Sequence, residues 1–466
     1  MWPWLARKLF HPLQERLMGR ATWRMFRELE ASQWWSPDAL AELQRVRLNR
    51  LLRDALAHSP WHAARIREAD LAGLVMAGDL GLEDLSRLPC MTKTDARENV
   101  GTLVWRSVPG GAHPYNTGGS SGEPLIFHYG RERQAADAAA RLRARLWWGV
   151  EPGEKELYLW GAPTELSRLD HLKRWRDSLV NHRILNAFEM SASRMDDYLE
   201  ALEHWAPSSI YGYASSVALL AAHARARGRR PKIPTLKVVC TTGEPLYPHQ
   251  REIIAEVFGI PVANEYGCRD GGFIGHDAPG GQMLMVSEFN LVEVLDPAGN
   301  PVPPGTPGEL VLTGLCSAAQ PFIRYRTGDI ITLSPEPARD GRGLPVIAEV
   351  AGRSTDHVVR ADGTIMHALA LIYVLRATPG VSQFKCIQHT PTYMEVQVVP
   401  GPEWTAQAGV SIEAGLRTRL GEALKVALVL RDEIPAEASG KHRYVVSHVA
   451  LPESLQASLP AHAPGA

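Results

Sequence analysis

The run KVVCTTGEPLYPHQREIIAEVFG, residues 237–259, decides the fold. Lys237 to Thr241 is an apolar, β-branched stretch of strand length. Thr242-Gly243-Glu244-Pro245-Leu246 breaks it, and Pro248 then opens a helix with Ile253, Ile254 and Val257 on one side and Gly259 as its stop. A strand, a tight loop and a helix in succession are most of a βαβ unit. The alternation recurs upstream, where Leu157-Tyr158-Leu159-Trp160 and Ile210-Tyr211 are apolar runs separated by helical stretches. One of those helices starts at Ser193-Arg194-Met195-Asp196, a capping-box-like signal, carries Tyr198, Leu199 and Leu202, and ends before Pro207. Parallel α/β sheets bind ligands beyond the carboxyl ends of their strands, which makes the loop after Thr241 a candidate nucleotide contact.

Outward from this centre the texture changes in both directions. Residues 1 to about 75 read as helical, with Leu43, Val46, Leu51, Leu52 and Leu56 near helical spacing. Trp2, Trp4, Leu5 and Phe10 at its start read as a helix docked on the body, the alternative being a helix on a membrane surface. After Gly281 the pattern is strand-rich, with runs at Met283 to Val286, Leu291 to Leu295, Glu309 to Thr313 and Ile330 to Leu333 and turns at Asn300-Pro301 and Pro303-Pro304-Gly305. Strand-like Met394 to Val398, a helix around Ile412 to Ala423 and a final Tyr444-Val445-Val446 make a small α+β module. The expected organisation is an α/β protein: a large N-terminal domain, 1–352, of parallel-rich sheets with helices, including a helical segment at 1–75 and a β-rich subdomain at 281–335, then a small α+β domain at 353–451 and a loose tail at 452–466.

Composition narrows the function. Of 466 residues 45% are hydrophobic and 22% charged, as in globular proteins, and 50 Lys+Arg against 51 Asp+Glu leave no field for a phosphate polymer, so nucleic-acid binding is not expected. Nine of the basic residues are lysines, so a lysine inside a motif stands out. Five cysteines, at 90, 240, 268, 316 and 386, have no C-x-x-C spacing and indicate a reducing compartment. The N-terminus lacks a signal-peptide core and no stretch reads as a bilayer span, so the expected location is cytoplasmic.

Five motifs carry chemistry. Thr117-Gly118-Gly119-Ser120-Ser121-Gly122-Glu123-Pro124 combines glycines and hydroxyls whose backbone N–H and O–H donors can converge on an anion; the plain alternative is a flexible turn. It is not a Walker A loop, and its match to the G-x-S-x-G elbow of serine hydrolases is out of context, because Leu125 to Tyr129 after it reads as a strand. The second motif is the Thr242–Leu246 loop. In the third, Glu265-Tyr266-Gly267-Cys268-Arg269-Asp270, Tyr266 can stack on a base and Asp270 can help hold Mg²⁺ on a phosphate. In the fourth, Arg324-Tyr325-Arg326-Thr327-Gly328-Asp329 followed by Gly352-Arg353, Asp329 can accept both hydroxyls of a ribose, and an arginine can hold the same sugar or a phosphate. The fifth is the scarce Lys441 in Ser439-Gly440-Lys441-His442-Arg443, an ammonium able to offset charge on a carboxylate and an α-phosphate.

In this order the motifs resemble the adenylate-forming (acyl-CoA synthetase) superfamily, in its phenylacetate-CoA ligase-like, CapK-type branch. Tyr325-Arg326-Thr327-Gly328-Asp329 and Gly352-Arg353 are the specific parts, supported by Leu51-Leu52-Arg53-Asp54-Ala55, Ser59-Pro60-Trp61, Leu88-Pro89-Cys90-Met91-Thr92-Lys93 and Tyr211-Gly212-Tyr213-Ala214-Ser215-Ser216. The resemblance implies ATP-dependent activation of a carboxylic acid as acyl-adenylate, followed by transfer to coenzyme A. It assigns ATP phosphates to the loop of Thr117, Gly118, Gly119, Ser120, Ser121 and Gly122, adenine and ribose to Gly243, Glu244, Pro245, Tyr266, Gly267, Asp329 and Arg353, Mg²⁺ to Asp270 and the acyl group to Tyr213, Ala214 and Ser215. Lys441 becomes the adenylation lysine, on a C-terminal lid that rotates between half-reactions. Asp270 stands where relatives carry Glu, beside Arg269 in place of a small hydroxyl residue, and the hinge falls at Thr355 or Asp356. A nucleotidyl transferase that adenylylates a cofactor, and an inactive CapK-like protein of polysaccharide biosynthesis, are the alternatives within the branch.

Overall fold

Val238–Thr242 is buried at every position, as a strand covered on both faces must be. The computed structural model describes residues 2–116, 125–160, 177–187, 190, 192–353, 357–362, 365–367, 369–434 and 444–449. After six helices within residues 22–77 and 93–103, a hairpin pairs β1 (His113–Asn116) with β2 (Ile126–Tyr129). A long helix, Arg131–Trp147, leads to the parallel strands β3 (Glu156–Trp160), β4 (His182–Asn186), β5 (Ser209–Tyr213), β6 (Val238–Thr242) and β7 (Val262–Cys268). Helices Ala192–Trp205, Ala214–Ala226 and Pro248–Phe258 make the crossovers, and the last is stopped by Gly259 in the left-handed conformation at φ 69°.

The strands expected after Gly281 extend this sheet. β7 turns back into β8 (Gly272–Asp277), which pairs with β9 (Met283–Met285), and β10 (Asn290–Leu295), β11 (Pro307–Gly314), β12 (Tyr325–Leu333) and β13 (Val346–Arg353) complete eleven strands in the order β10-β11-β12-β13-β9-β8-β7-β6-β5-β3-β4. The β13–β9 pairing, Val346↔Leu284 and Ile347↔Met283, joins β10–β13 to β9 and β8, and the antiparallel β8–β7 pair leads into the parallel half. Leu157, Leu159, Ile210 and Val239 of the parallel half pack on Leu199, Leu202, Val217, Leu220, Ile254 and Val257 of the crossover helices. Each such side chain contributes about 1.5–3 kcal/mol by leaving water.

Helix Arg131–Trp147 lies close to the sheet because Ala135, Ala136, Ala139, Ala140 and Ala144 face inward. That packing buries its arginines, and each has an anion: Arg143 meets Glu288 and Arg145 meets Glu156, all four less than a tenth exposed. Removing one partner of such a pair costs about 3–5 kcal/mol.

The chain then forms the small hairpin β14 (His357–Val359) and β15 (Ile365–His367), and a four-stranded sheet in the order β18-β17-β16-β19. Here β16 (Val381–Thr390) and β17 (Tyr393–Pro400) are antiparallel, while β18 (Lys425–Leu430) and β19 (Val445–Ser447) are parallel to their neighbours. Helices Leu369–Ala377 and Ala406–Leu420 bury Leu371, Leu375, Ile412 and Leu416 against Phe384, Val396 and Val398. This is a separate hydrophobic core, and it makes the C-terminal region a sheet-containing domain of its own. Among the described residues no helix is long and apolar enough to cross a membrane.

Candidate active site

The strand order places the site. From β3 the chain proceeds to β4 on one side, and from β5 to β6 on the other, so a crevice opens beyond the carboxyl ends of β3 and β5. The last residues of these strands, Trp160 and Tyr213, stack there with centroids 4.3 Å apart. Tyr213 is buried, which pushes its phenol pKa up; Arg269 opposes that shift, and Glu244 and Tyr115 add to it. Third-motif Arg269, second-motif Glu244 and Tyr115 at the edge of the first motif therefore surround one phenol, with the Arg269 guanidinium 5.7 Å from the Tyr115 ring centroid. Gly243 has φ 82°, and a Cβ there would stand 3.1 Å from the Tyr213 ring, so only glycine brings this backbone onto the aromatic wall. Pro245 is exposed at the lip of the loop, and Ala214 is buried at the start of the next helix. The side chain of Ser215 lies outside the described residues.

A second group lies where β7 meets the antiparallel half. The Tyr266 hydroxyl donates to Asp329 Oδ2 at 2.8 Å. Asp329 is the register partner of Arg353, the last residue of β13, whose backbone is described and whose side chain is not. Gly267 follows Tyr266 in β7, against the Gly272 carbonyl of β8. Asp270 lies in the turn between them, and its Oδ2 accepts the Tyr325 hydroxyl at 2.6 Å. Burial pushes the nearby Cys268 thiol well up, and the charges of Asp270 and Asp329 add to the effect.

No group of three or more His, Cys, Asp or Glu suited to a metal occurs among the described residues. Asp270 offers one carboxylate with one oxygen already engaged. That set fits Mg²⁺ when a triphosphate supplies most of the ligands, the usual situation for this ion in nucleotide sites.

The loop 117–122 and Lys441 lie outside the described residues, but their flanks are informative. β1 and β2 bracket the first loop, so it has a strand on each side, unlike the strand-to-helix turn of a hydrolase elbow. On the far side of Lys441, the Tyr444 ring packs 5.0 Å from Phe384 within the C-terminal domain and 6.2 Å from Tyr247 of the large domain. Tyr247 immediately follows the Thr242–Leu246 loop, so the strand end that carries Lys441 touches the loop expected at the adenine.

Three buried acids of the sheet were not singled out by the sequence. Glu265 of β7 accepts the Tyr211 hydroxyl at 2.7 Å and faces Arg141 at 3.5 Å. Burial would raise its pKa, but Arg141 and Arg145 outweigh that and hold it low. Glu156 behaves alike, held to about 2 against its burial by His182, Arg145 and Arg141. Glu309 behaves oppositely: Arg326 is 3.1 Å away, yet neither buried carboxylate oxygen completes a hydrogen bond, and burial raises its pKa to about 7. The available signal was Arg141, Arg143 and Arg145 in an alanine-rich helix, since arginines that small neighbours draw into a core need buried acids.

Comparison with known proteins agrees with this geometry. A family model for AMP-binding enzymes matches residues 185–319, and one for the CapK C-terminal domain matches 358–448. Phenylacetate-coenzyme A ligase of Thermus thermophilus is 26% identical over 444 residues, 88% of this chain and 96% of that one. Protein CapK of Staphylococcus aureus is 21% identical over 414 residues, 88% and 90% of the two chains. The crystal structure of 2-hydroxyisobutyryl-CoA ligase with R3-HIB-AMP, in the postadenylation state, superposes with a TM-score of 0.72 at 23% identity, over 89% of this chain and 90% of that one. Both family models matching in order along one fold, and similarity along most of its length to both kinds of protein, support the recognition of this chain as one of the adenylate-forming superfamily, in its phenylacetate-CoA ligase and CapK branch.

Proposed function

We propose that the protein is an adenylate-forming ligase that activates a carboxylic acid with ATP and passes the acyl group to coenzyme A. The Tyr266–Asp329 hydrogen bond carries this reading, because it fixes a carboxylate for a sugar's hydroxyls beside the crevice walled by Trp160 and Tyr213. The ligase activities in the names of the relatives support it. In the first half-reaction a carboxylate oxygen attacks the α-phosphorus, the bond to the β-phosphate oxygen breaks, and pyrophosphate leaves. In the second, the thiolate of coenzyme A attacks the acyl carbon and AMP leaves.

The residues divide the work by charge and shape. Thr117, Ser120, Ser121 and Gly122 receive the phosphates, while Gly243, Glu244 and Pro245 line the adenine. Tyr266 orients Asp329 for the ribose, Arg353 supports the same sugar, and Asp270 helps hold Mg²⁺ on the triphosphate. Lys441, on a lid comprising 353–451, offsets charge at the α-phosphate during attack. Tyr213, Ala214 and Ser215 border the acyl group. Five cysteines without disulfides, together with the use of ATP, favour a place in the cytoplasm.

The test is ATP–pyrophosphate exchange with a panel of aryl and short hydroxy acids, followed by mass spectrometry of products with and without coenzyme A. Acid-dependent exchange and a thioester product are expected. Exchange that needs no acid and labels another acceptor with AMP would indicate a nucleotidyl transferase, and absence of exchange with every acid would indicate a binding protein.

A further inference from the structure

The first helical segment carries large apolar residues on its outer face. It runs from Pro3–Leu5 through a five-residue π-helical turn, Ala6–Phe10, into His11–Leu17. A helix on the surface of a globular protein normally turns apolar residues inward and polar ones outward. Here the inward side is mixed: Ala6 is buried and Leu5 and Phe10 are half-buried, while buried Glu15 accepts from Arg20 and Thr22, the His11 ring meets the edge of Trp23 at 5.2 Å, and Arg7 pairs with Glu151 at the exposed margin. The seat is close: a Cβ on Gly153 would stand 2.7 Å from the Pro3 carbonyl oxygen and 2.8 Å from the Arg7 nitrogen.

The outward face holds five large apolar residues. Trp4 is 59% exposed, Leu9 50%, Leu13 48% and Leu17 80%, and Trp2 just before the helix is 71% exposed. The wide π turn adjusts the register between the two α-helical parts, so that these side chains continue along one side. Lys8 and Arg16 are exposed among them, and Glu15, the one acid between residues 2 and 20, is buried on the other side.

We infer that this helix is a peripheral membrane anchor that lies in the interface of an anionic bilayer. Tryptophan and leucine of the outer face enter the headgroup boundary, while Lys8 and Arg16 meet lipid phosphates. A second copy of the chain is a poorer occupant, since a two-fold pairing of this face sets Lys8 and Arg16 against their equals with no acid between them. The sequence-based expectation of a helix docked on the body is met on one face only; the other presents apolar surface with basic residues spaced along it.

The test uses the full-length protein in a flotation assay. Vesicles of phosphatidylcholine are compared with vesicles in which about a third of the lipid is phosphatidylglycerol. Protein should float with the anionic vesicles, less so as salt rises, and hardly with the neutral ones. The triple variant Leu9→Gln, Leu13→Gln, Leu17→Gln and the double variant Lys8→Glu, Arg16→Glu should each bind at least about tenfold more weakly. Their unfolding midpoints should stay at the parent value, because the altered side chains point outward. No preference for anionic vesicles at low salt would overturn the inference. So would unchanged binding of the two folded variants, or a dimer that the leucine variants dissociate in a protein that ignores vesicles.

Discussion

The Tyr325 hydroxyl on β12 donates a 2.6 Å hydrogen bond to Oδ2 of Asp270, in the turn after β7, and so ties the two halves of the sheet together at the site. Asp270→Asn keeps an acceptor for that bond and should fold normally, yet it removes the charge offered to Mg²⁺. Exchange activity should fall at least about tenfold, with a raised Mg²⁺ requirement, the scale of one lost charge-assisted contact of about 1.5–3 kcal/mol. Tyr325→Phe should do the reverse, lowering stability by about 1–3 kcal/mol through a stranded buried carboxylate oxygen. Equal effects of the two variants on folding and exchange would refute the metal role.

Asp329 is the second test. If its carboxylate accepts ribose hydroxyls, 2′,3′-dideoxy-ATP should bind well below ATP, by isothermal titration. Tyr266→Phe removes the group that orients Asp329 and should weaken ATP binding by about threefold to tenfold, the worth of one net hydrogen bond. Equal affinity for the two nucleotides would end the ribose assignment.

Glu309 makes a pH prediction. Its folded pKa, raised to about 7 by burial, lies above the ordinary 4.5, so the folded state keeps a proton that the unfolded chain has lost. This group therefore stabilises fully below about pH 4.5. That contribution fades as pH rises toward 7 and is gone above it. Glu309→Gln should flatten that fall, with a gain over the parent largest near pH 8, read from thermal unfolding across pH 5 to 8. His62 and His276 are pushed down by burial, to about 3 and 4, and slope the other way below pH 6.5 in both proteins, so the difference between them isolates Glu309.

Lys441→Ala should slow acyl-adenylate formation by about 10²–10³, as when one preorganised charge-stabilising donor is lost. Supplied with acyl-adenylate, the same variant should make thioester at the parent rate. Tyr247→Ala, which removes the ring facing Tyr444, should share this pattern in weaker form by loosening the lid in its adenylating position. Loss of both half-reactions in equal measure would assign Lys441 to binding alone.

Local signals were the most legible. The strand, loop and helix of 237–259 formed as read, down to Gly259 in the left-handed conformation, because period and caps are properties of neighbouring residues. Pairings across the chain were not legible. Nothing near Met283 announces Val346 as its region's partner, and nothing near Asp270 announces Tyr325, 55 residues later. Glu309 reads as an ordinary acid beginning a strand until β12 covers it. The outward apolar face of the N-terminal helix was half visible, since Trp2 and Trp4 marked an amphipathic segment, but which face meets the body depends on Gly153 and Glu151.

Closure of the small C-terminal sheet by β19 bears on the protein's biosynthesis. β19 is the last strand among the described residues, it lies parallel to β16, and Val445 completes the hydrophobic core there. A ribosome makes β16, β17 and β18 well before it, and the large domain earlier still. A nascent chain can thus shape its nucleotide crevice while Lys441, three residues before Tyr444, has no finished strand to hold it. If Lys441 has the adenylating role proposed above, unfinished molecules form no reactive acyl-adenylate that they have no means of handing on.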